Sequence, residues 1–232
     1  MQFTRILAIR HGETDWNLQG RIQGATDIAL NRAGREQARR LGRALADEQI
    51  DAVYSSDLAR AAQTAQALAL PRRLAVQHDL GLRERAFGVF EGRTFGEIET
   101  RWPEQAQRWR RRDPEFGPSG GEVLRHFFAR CVGAVKALAA RHDGQSIAVV
   151  AHGGVLDCLY RAATRIELTA PRTWQVGNAS INRLLFAADG LTLVGWSDDA
   201  HLDEFDEVDD ESGAEEGAPG AASADSRVGR EA

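Results

Sequence analysis

Only two cysteines, Cys131 and Cys158, occur in 232 residues, too few for a disulfide framework or for a metal centre of their own. Both fall inside amphipathic helical patterns, where a buried free thiol is expected, so neither is given a chemical role. No stretch approaches the roughly 18–20 consecutive apolar residues that span a bilayer, which excludes a membrane span and leaves no membrane partner to expect. The apolar run from Met1 to Ile9 is too short for a secretory signal and passes directly into a polar motif. A cytoplasmic location is the resulting expectation. Internal repeats at the periods of solenoids or propellers are also missing, as is any basic stripe interleaved with aromatics. Arg108 to Arg112 with Trp109 comes nearest to one and reads as a solvated helix face, so no nucleic-acid partner is expected.

What is present is an ordinary balance of 43% hydrophobic and 27% charged residues, in a chain long enough for one substantial α/β domain. The net charge of −5 conceals an asymmetry: 13 of the 34 acidic residues but only 2 of the 29 basic ones lie in 198–232. Residues 1–197 therefore carry about +6, which suits an anionic small-molecule substrate. Beyond about Asp206 the aromatics disappear and Asp, Glu, Gly, Ala and Ser accumulate, too little apolar surface to offset the entropy of ordering. The expected division is a domain over 1–205 and an acidic disordered tail over 206–232. That tail could recruit a basic partner or simply solubilise the chain.

Strand and helix patterns alternate along the domain. Phe3 to Ile9 reads as a strand, ended by Arg10-His11-Gly12-Glu13. Asn31 caps a helix to about Asp47 with Ala38, Leu41, Ala44 and Leu45 on one face. Ile50 to Ser55 reads as a strand, and Ser56 or Asp57 is expected to cap a helix that carries Arg60 in its first turn and stops at Pro71. A short strand at 74–77 precedes a long loop, 80–92, containing Glu84. Ser119-Gly120-Gly121-Glu122 has capping-box spacing ahead of a helix presenting Phe127, Cys131, Val135 and Leu138. Ser146 to Ala151 is a continuous apolar run, the pattern of a strand buried on both faces, and His152-Gly153-Gly154 turns from it into a further helix. Asp189-Gly190 marks a hairpin between strands at 180–187 and 191–196. The pattern predicts an α/β fold, a three-layer α/β/α sandwich with a mostly parallel central sheet.

His11 and His152 each follow a predicted buried strand and each precede glycine. In open α/β sheets such strand ends share one crevice, so residues distant in sequence can meet there. Phosphoryl transfer needs positive charge around three oxygens, a nucleophile, and an acid for the leaving group. Arg10 and Arg60 can supply bidentate forks and His152 a further donor. A neutral His11 nitrogen can attack phosphorus without a metal if its other nitrogen is hydrogen-bonded. Gly12 is expected to let the backbone approach the phosphoryl group, and the helix starting near Gly153 to offer amide donors.

These residues carry a resemblance. Arg10-His11-Gly12-Glu13-Thr14, Trp16-Asn17, Arg21-Ile22-Gln23-Gly24, Leu30-Asn31-Arg32-Ala33-Gly34, Ser55-Ser56-Asp57-Leu58-Ala59-Arg60-Ala61, Leu82-Arg83-Glu84-Arg85-Ala86-Phe87-Gly88, Glu91-Gly92 and Ala151-His152-Gly153-Gly154 together resemble the histidine phosphatase superfamily, which includes cofactor-dependent phosphoglycerate mutases. The likeness spans about residues 3 to 196 and implies a phosphoglycerate mutase-like fold. It implies that His11 is the nucleophile, that Arg10, Arg60 and His152 hold phosphoryl oxygens, and that Glu84 is the proton donor. It also implies that Asn17, Gln23 and Gly153 contact phosphoryl group or substrate, the alternative for Asn17 being a helix cap. A general acid must be protonated at working pH, which a free Glu at about 4.3 is not; Arg83 and Arg85 are therefore expected to point away from Glu84.

Family mutases carry a longer insertion between the equivalents of Glu84 and His152 than this chain, whose interval is short, and Asn178-Ala179-Ser180-Ile181 resembles the phosphatase branch. Hydrolysis of a small phosphorylated metabolite is accordingly expected, with phosphoglycerate mutase activity as runner-up and a non-catalytic phospho-ligand module as a third reading. Neither a metal nor a cofactor is expected. A His11/Glu13/His152 metal set is the weaker alternative, since Arg10 would oppose a cation. Phe87, Phe90, Trp102 and Trp109 are divided between core and entrance, and a homodimer is left open.

Overall fold

The centre of the molecule is set by Ser146–Ala151, β-strand residues that are all buried. Because side chains alternate across a strand, Ile147, Val149 and Ala151 join a cluster with Phe127, Cys131, Val135, Leu156 and Leu159 on one face. Ala148 and Val150 join Leu41, Ala61, Ala65 and Leu68 on the other. Each fully buried aliphatic side chain contributes about 1.5–3 kcal/mol, and helices on both faces follow from a strand apolar on both.

A computed structural model describes residues 3–203. In chain order it contains β1 (Thr4–Arg10), α1 (Asp15–Leu18), α2 (Arg32–Ala44), β2 (Ala52–Ser55), α3 (Ala59–Ala69), β3 (Val76–His78), α4 (Phe95–Arg101), α5 (Pro103–Arg110), α6 (Leu124–Ala139), β4 (Ser146–Ala151), α7 (Gly153–Thr164), β5 (Ile181–Ala187) and β6 (Gly190–Asp198). The tail expected over 206–232 lies outside the described residues. The six strands form one sheet in the order β3-β2-β4-β1-β5-β6. β3, β2, β4 and β1 run parallel, while β5 and β6 close the other edge antiparallel. The three-layer α/β/α sandwich is therefore as the patterning predicts.

The register decides where the site lies. Arg10 stands opposite Ala151 on adjacent parallel strands, so the next residues, His11 and His152, emerge side by side. Ser55 pairs with Val150, which brings the start of α3, and with it Arg60, to the same edge of the sheet.

Several helix starts differ from expectation, and each for an identifiable reason. Neither Ser56 nor Asp57 caps α3: its first amide, Ala59 N, donates to Asp27 Oδ1 at 2.7 Å, while the Asp57 carboxylate pairs with Arg83. The capping box expected at Ser119 to Glu122 does not form. Helix α6 begins at Leu124 without a side-chain cap, because Glu122 is held by Arg130, with Oε2 2.7 Å from Nη2. Pro71 sits within a 3₁₀ turn, Leu70–Arg72, that continues α3. Helix α4 was not foreseen, and α5 only at its end, through the helix face read at Arg108 to Arg112; the two close over a small satellite core of Phe90, Ile98, Ala106 and Phe116.

The Asp27 cap ties the helix carrying Arg60 to the loop after α1. Asp27→Ala is expected to cost about 1 kcal/mol, seen as a lower urea midpoint at constant m-value. An unchanged midpoint would show that the amide of Ala59 does not depend on that carboxylate.

Candidate active site

β1 ends by delivering His11 into a buried position, where it is 3% exposed. Its Nδ1 lies 2.7 Å from the carbonyl oxygen of Gly12. A carbonyl only accepts, so Nδ1 carries the proton and donates, leaving the Nε2 lone pair free. The backbone behind the ring is fixed from three sides. His11 N donates to Ala151 O at 3.0 Å, Gly12 N donates to Thr64 Oγ1 at 3.0 Å, and Asn178 Nδ2 donates to His11 O at 3.0 Å. Gly12 has a different reason from the one expected: a Cβ there would lie 2.4 Å from Gly34 O. Close packing of the His11 loop on the first turn of α2 is what requires glycine.

Around His11 stand the other expected residues. His152 is fully buried, its ring centroid 5.2 Å from that of His11, and neither of its ring nitrogens has a hydrogen-bond partner. Arg10 Nη1 donates to Val176 O at 2.6 Å. Arg60, the second residue of α3, donates from Nη1 to Thr26 O at 2.9 Å and from Nη2 to Gly24 O at 2.8 Å. The Nε atoms of both arginines are buried without a partner. Three unpartnered N–H groups, the Nε–H of Arg10 and of Arg60 and one ring N–H of His152, thus stand around His11, and both arginines line one cleft with it. Such unsatisfied groups are rare in folded proteins and need a reason, and an anion in the cleft supplies one.

Glu84 completes the ring and is held by two amides: Oε1 accepts from Arg85 N at 2.9 Å and Oε2 from Gly154 N at 2.9 Å. The amino end of α7 is therefore partly taken by Glu84 rather than left wholly to a bound anion. Gly154 permits this contact, since a Cβ there would lie 2.3 Å from Glu84 Oε1. Gly153 borders the cleft beside Arg10. Arg83 turns away onto Asp57, as expected. Arg85 donates to the carbonyls of Glu122 and Phe116 yet remains in the cleft wall, so the expectation holds for one of the two.

Asn17 lines the cleft, and its Oδ1 accepts from Thr14 N at 3.2 Å in the capping box of α1; the N-cap is Thr14 and Asn17 stands at the third helical position, so Asn17 is not itself the cap. Gln23 is buried in the wall with Oε1 unpartnered. Phe87 and Trp109 reach the cleft, whereas Phe90 is core and Trp102 packs against it. Glu13, the third member of the metal alternative, has Oε1 bonded to Asn31 Nδ2 at 2.8 Å. Among the described residues no three metal-ligating side chains cluster.

Electrostatics follow from burial. Desolvation, reinforced by the charges of Arg10 and Arg60, pushes the His11 imidazole well below its ordinary 6.5. His152 is displaced the same way by desolvation and then by Arg60, His11 and Arg10. Burial lowers Arg10 to about 10, with Glu84 opposing, so the guanidinium stays charged at neutral pH beside two neutral imidazoles.

Residues 6–199 match the Histidine phosphatase superfamily (branch 1). The chain belongs to the histidine phosphatase superfamily. It is 40% identical over 209 residues to phosphoglycerate mutase-like protein 4 of Arabidopsis thaliana, covering 88% of this chain and 89% of that one. It is 36% identical over 211 residues to the metal-independent phosphoserine phosphatase of the same plant, covering 87% and 84%. The solved structure of an Entamoeba histolytica phosphoserine phosphatase mutant in complex with phosphoserine superposes with a TM-score of 0.78 at 30% identity, covering 86% of this chain and 99% of that one. This member of the superfamily is an enzyme acting on phosphate monoesters.

Several positions that line or brace the cleft of this histidine phosphatase were given no role in the sequence reading. Glu91 joins the two loops that form the wall, accepting from Ala25 N, Thr26 N and Phe87 N at 3.0, 3.1 and 2.8 Å. Thr64 supports Gly12, and Arg112, Asp157 and Arg172 line the outer cleft. Thr64 and Asp157 lie within helices, Arg112 in a run of arginines and Glu91 and Arg172 in irregular segments, where no local pattern distinguishes them from surface residues.

The depressed imidazoles make stability depend on pH. Unfolded, both rings titrate near 6.5; folded, they titrate well below it. The unfolded chain therefore binds more protons in that window, and stability is lost as pH falls below 6.5, by about 1.4 kcal/mol per imidazole per unit. Depressed carboxyls such as Asp51 and Asp57 act only near and below 3.8. Urea unfolding between pH 7 and 5.5 should show a steeper loss for the natural protein than for His11→Asn/His152→Asn. Parallel slopes would contradict neutral burial of the two rings.

Proposed function

We propose that this chain is a metal-independent phosphatase of small monoesters that passes through a phosphohistidine at Nε2 of His11, with Glu84 as proton donor and acceptor. The observation that carries the reading is the state of His11: a neutral ring with Nδ1 tied to Gly12 O, buried among Arg10, Arg60 and His152.

The steps follow from those groups. The Nε2 lone pair attacks phosphorus, the P–N bond forms as the P–O ester bond breaks, and the leaving alkoxide takes a proton from Glu84. Arg10, Arg60 and His152 meet the charge spreading over the three equatorial oxygens. The Nδ1 proton remains on the ring, stabilised by the Gly12 carbonyl. In the second half a water gives its proton to the Glu84 carboxylate and attacks phosphorus; the P–N bond breaks, releasing phosphate and neutral His11. Gln23 and Gly153 contact the incoming ester, and Asn17 acts by fixing the loop after His11.

Hydrolysis is favoured over transfer back to an alcohol because a mutase must keep water from its phosphoryl intermediate, and the resemblance places no long insertion between Glu84 and His152. A cytoplasmic site of action belongs to the same proposal and rests on the two free buried thiols, Cys131 and Cys158. Among the described residues no helix is long and apolar enough to cross a membrane.

In chelator-treated buffer the protein should release phosphate from monoesters, and acid-quenched protein should carry an acid-labile phosphoryl group that His11→Ala lacks. Glu84→Gln should lower kcat/KM, which reports the steps up to departure of the leaving group, by about 10²–10⁴-fold for an alkyl phosphate, and far less for p-nitrophenyl phosphate, whose leaving group needs no proton. Equal losses on both esters would remove Glu84 from the proton-donor role; label retained in His11→Ala would remove His11 as nucleophile.

A further inference from the structure

Ser119-Gly120-Gly121-Glu122 has the spacing of a capping box and forms none; the segment lies instead along the loop that carries Glu84. Val89 N donates to Ser119 O at 3.0 Å, and Glu122 N donates to Ala86 O at 2.8 Å. Glycine lets the two backbones approach. A Cβ on Gly121 would lie 2.7 Å from Ala86 O, and one on Gly88, whose φ is +51°, would collide with Ser119 O.

The side chain of Glu122 continues this contact. Its carboxylate accepts from Arg130 of α6, Oε1 from Nε at 2.9 Å and Oε2 from Nη2 at 2.7 Å. The remaining nitrogen, Nη1, faces the loop and donates to Gly81 O at 2.9 Å, Arg83 O at 3.0 Å and Leu80 O at 3.3 Å. The guanidinium also lies over the buried Phe127 ring, 5.2 Å from its centroid. Because the fork is planar and rigid, fixing one edge on Glu122 fixes the direction in which Nη1 points.

These contacts bracket Glu84. Arg83 O belongs to the peptide unit that ends at Glu84 N, so the main chain entering Glu84 hangs on Arg130. The chain leaving it hangs on the Glu122 backbone, through Ala86 O and through Arg85 Nε, which donates to Glu122 O at 2.9 Å. Every nitrogen of Arg130 and both carboxylate oxygens of Glu122 are bonded within the protein, and neither residue borders the cleft. The pair therefore has no capacity for a ligand. What it holds is the backbone on either side of a carboxylate that must meet a leaving-group oxygen at hydrogen-bond distance.

We infer that the Glu122–Arg130 pair is a positioning device for Glu84, aiming its carboxylate from the amino end of α7 into the cleft without touching substrate. The inference rests on the reading of Glu84 as proton donor and adds to it the residues that aim the donor.

The test compares an alkyl phosphate with p-nitrophenyl phosphate in the natural protein, Arg130→Gln, Glu122→Gln and the double variant. A pair that only stabilised the fold would lower both activities alike. Positioning predicts that Arg130→Gln lowers kcat/KM about 10–100-fold for the alkyl ester and far less for the nitrophenyl ester. The double variant should lose no more than the worse single one, since both break the same linkage. Should Arg130→Gln fail to fold, Arg130→Lys replaces it: an ammonium keeps the charge but cannot span Glu122 and the loop carbonyls together, so the same selective loss is expected. Equal losses on the two esters, where Glu84→Gln separates them, or no loss on either, overturn the inference. The amide resonances of Arg85 and Gly154, the two donors to the Glu84 carboxylate, read its placement without turnover. In the Arg130 variant they should move toward their positions in Glu84→Ala; unmoved resonances overturn the inference. If Glu84→Gln itself does not separate the esters while those resonances move, the proton-donor reading fails and the positioning of Glu84 stands.

Discussion

The structure depends on holding two guanidiniums, Arg10 and Arg60, inside the protein with carbonyl oxygens rather than carboxylates. Val176 O orients Arg10, and Gly24 O with Thr26 O orients Arg60. Carbonyl dipoles fix geometry while leaving the net charge unneutralised, which is what a dianion-binding hollow requires. A carboxylate in either place would have stabilised the empty fold and spent the charge. Burial, reinforced by the same field, keeps His11 neutral, and a neutral imidazole is the form that the proposed nucleophile needs.

Around that constraint the rest falls into place. The parallel register of β1 and β4 sets His11 beside His152, and the amino ends of α3 and α7 bring Arg60 and Gly154 to the same edge. Glu91 ties the loop that supplies the Arg60 carbonyls to the loop that follows Glu84, so Arg60 and Glu84 are positioned by one carboxylate that touches neither. Gly12 and Gly154 occupy points where a methyl group would collide with Gly34 O or Glu84. Rigid support of this kind is how an active site keeps groups within fractions of an ångström of working geometry.

Much of this was legible in the sequence because the determining features are local. The unbroken apolar run at 146–151 announces a strand buried on both faces, and His-Gly directly after a strand announces a crevice. The mistakes share a cause: a side chain suited to a local role was taken by a distant partner. Asp57 looks like a helix cap but pairs with Arg83, and Glu122 looks like half of a capping box but pairs with Arg130. Helix α4 and the start of α5 were hidden because their burial depends on Phe90, which no local period reveals. The outer wall was illegible for the same reason. Arg112 sits in a basic run and Arg172 in an irregular segment, and only the fold sets both against Asp157.

The central claim is that the cleft holds more positive charge than the protein answers, fixed before any ligand arrives. Calorimetric titration with orthovanadate at pH 7, in the presence of a chelator, tests it most directly. The account predicts one site per chain for the natural protein and at least a tenfold weaker site in Arg60→Met, whose fold is checked by its unchanged near-ultraviolet circular dichroism. No measurable binding, or equal affinity in the two correctly folded proteins, would contradict it.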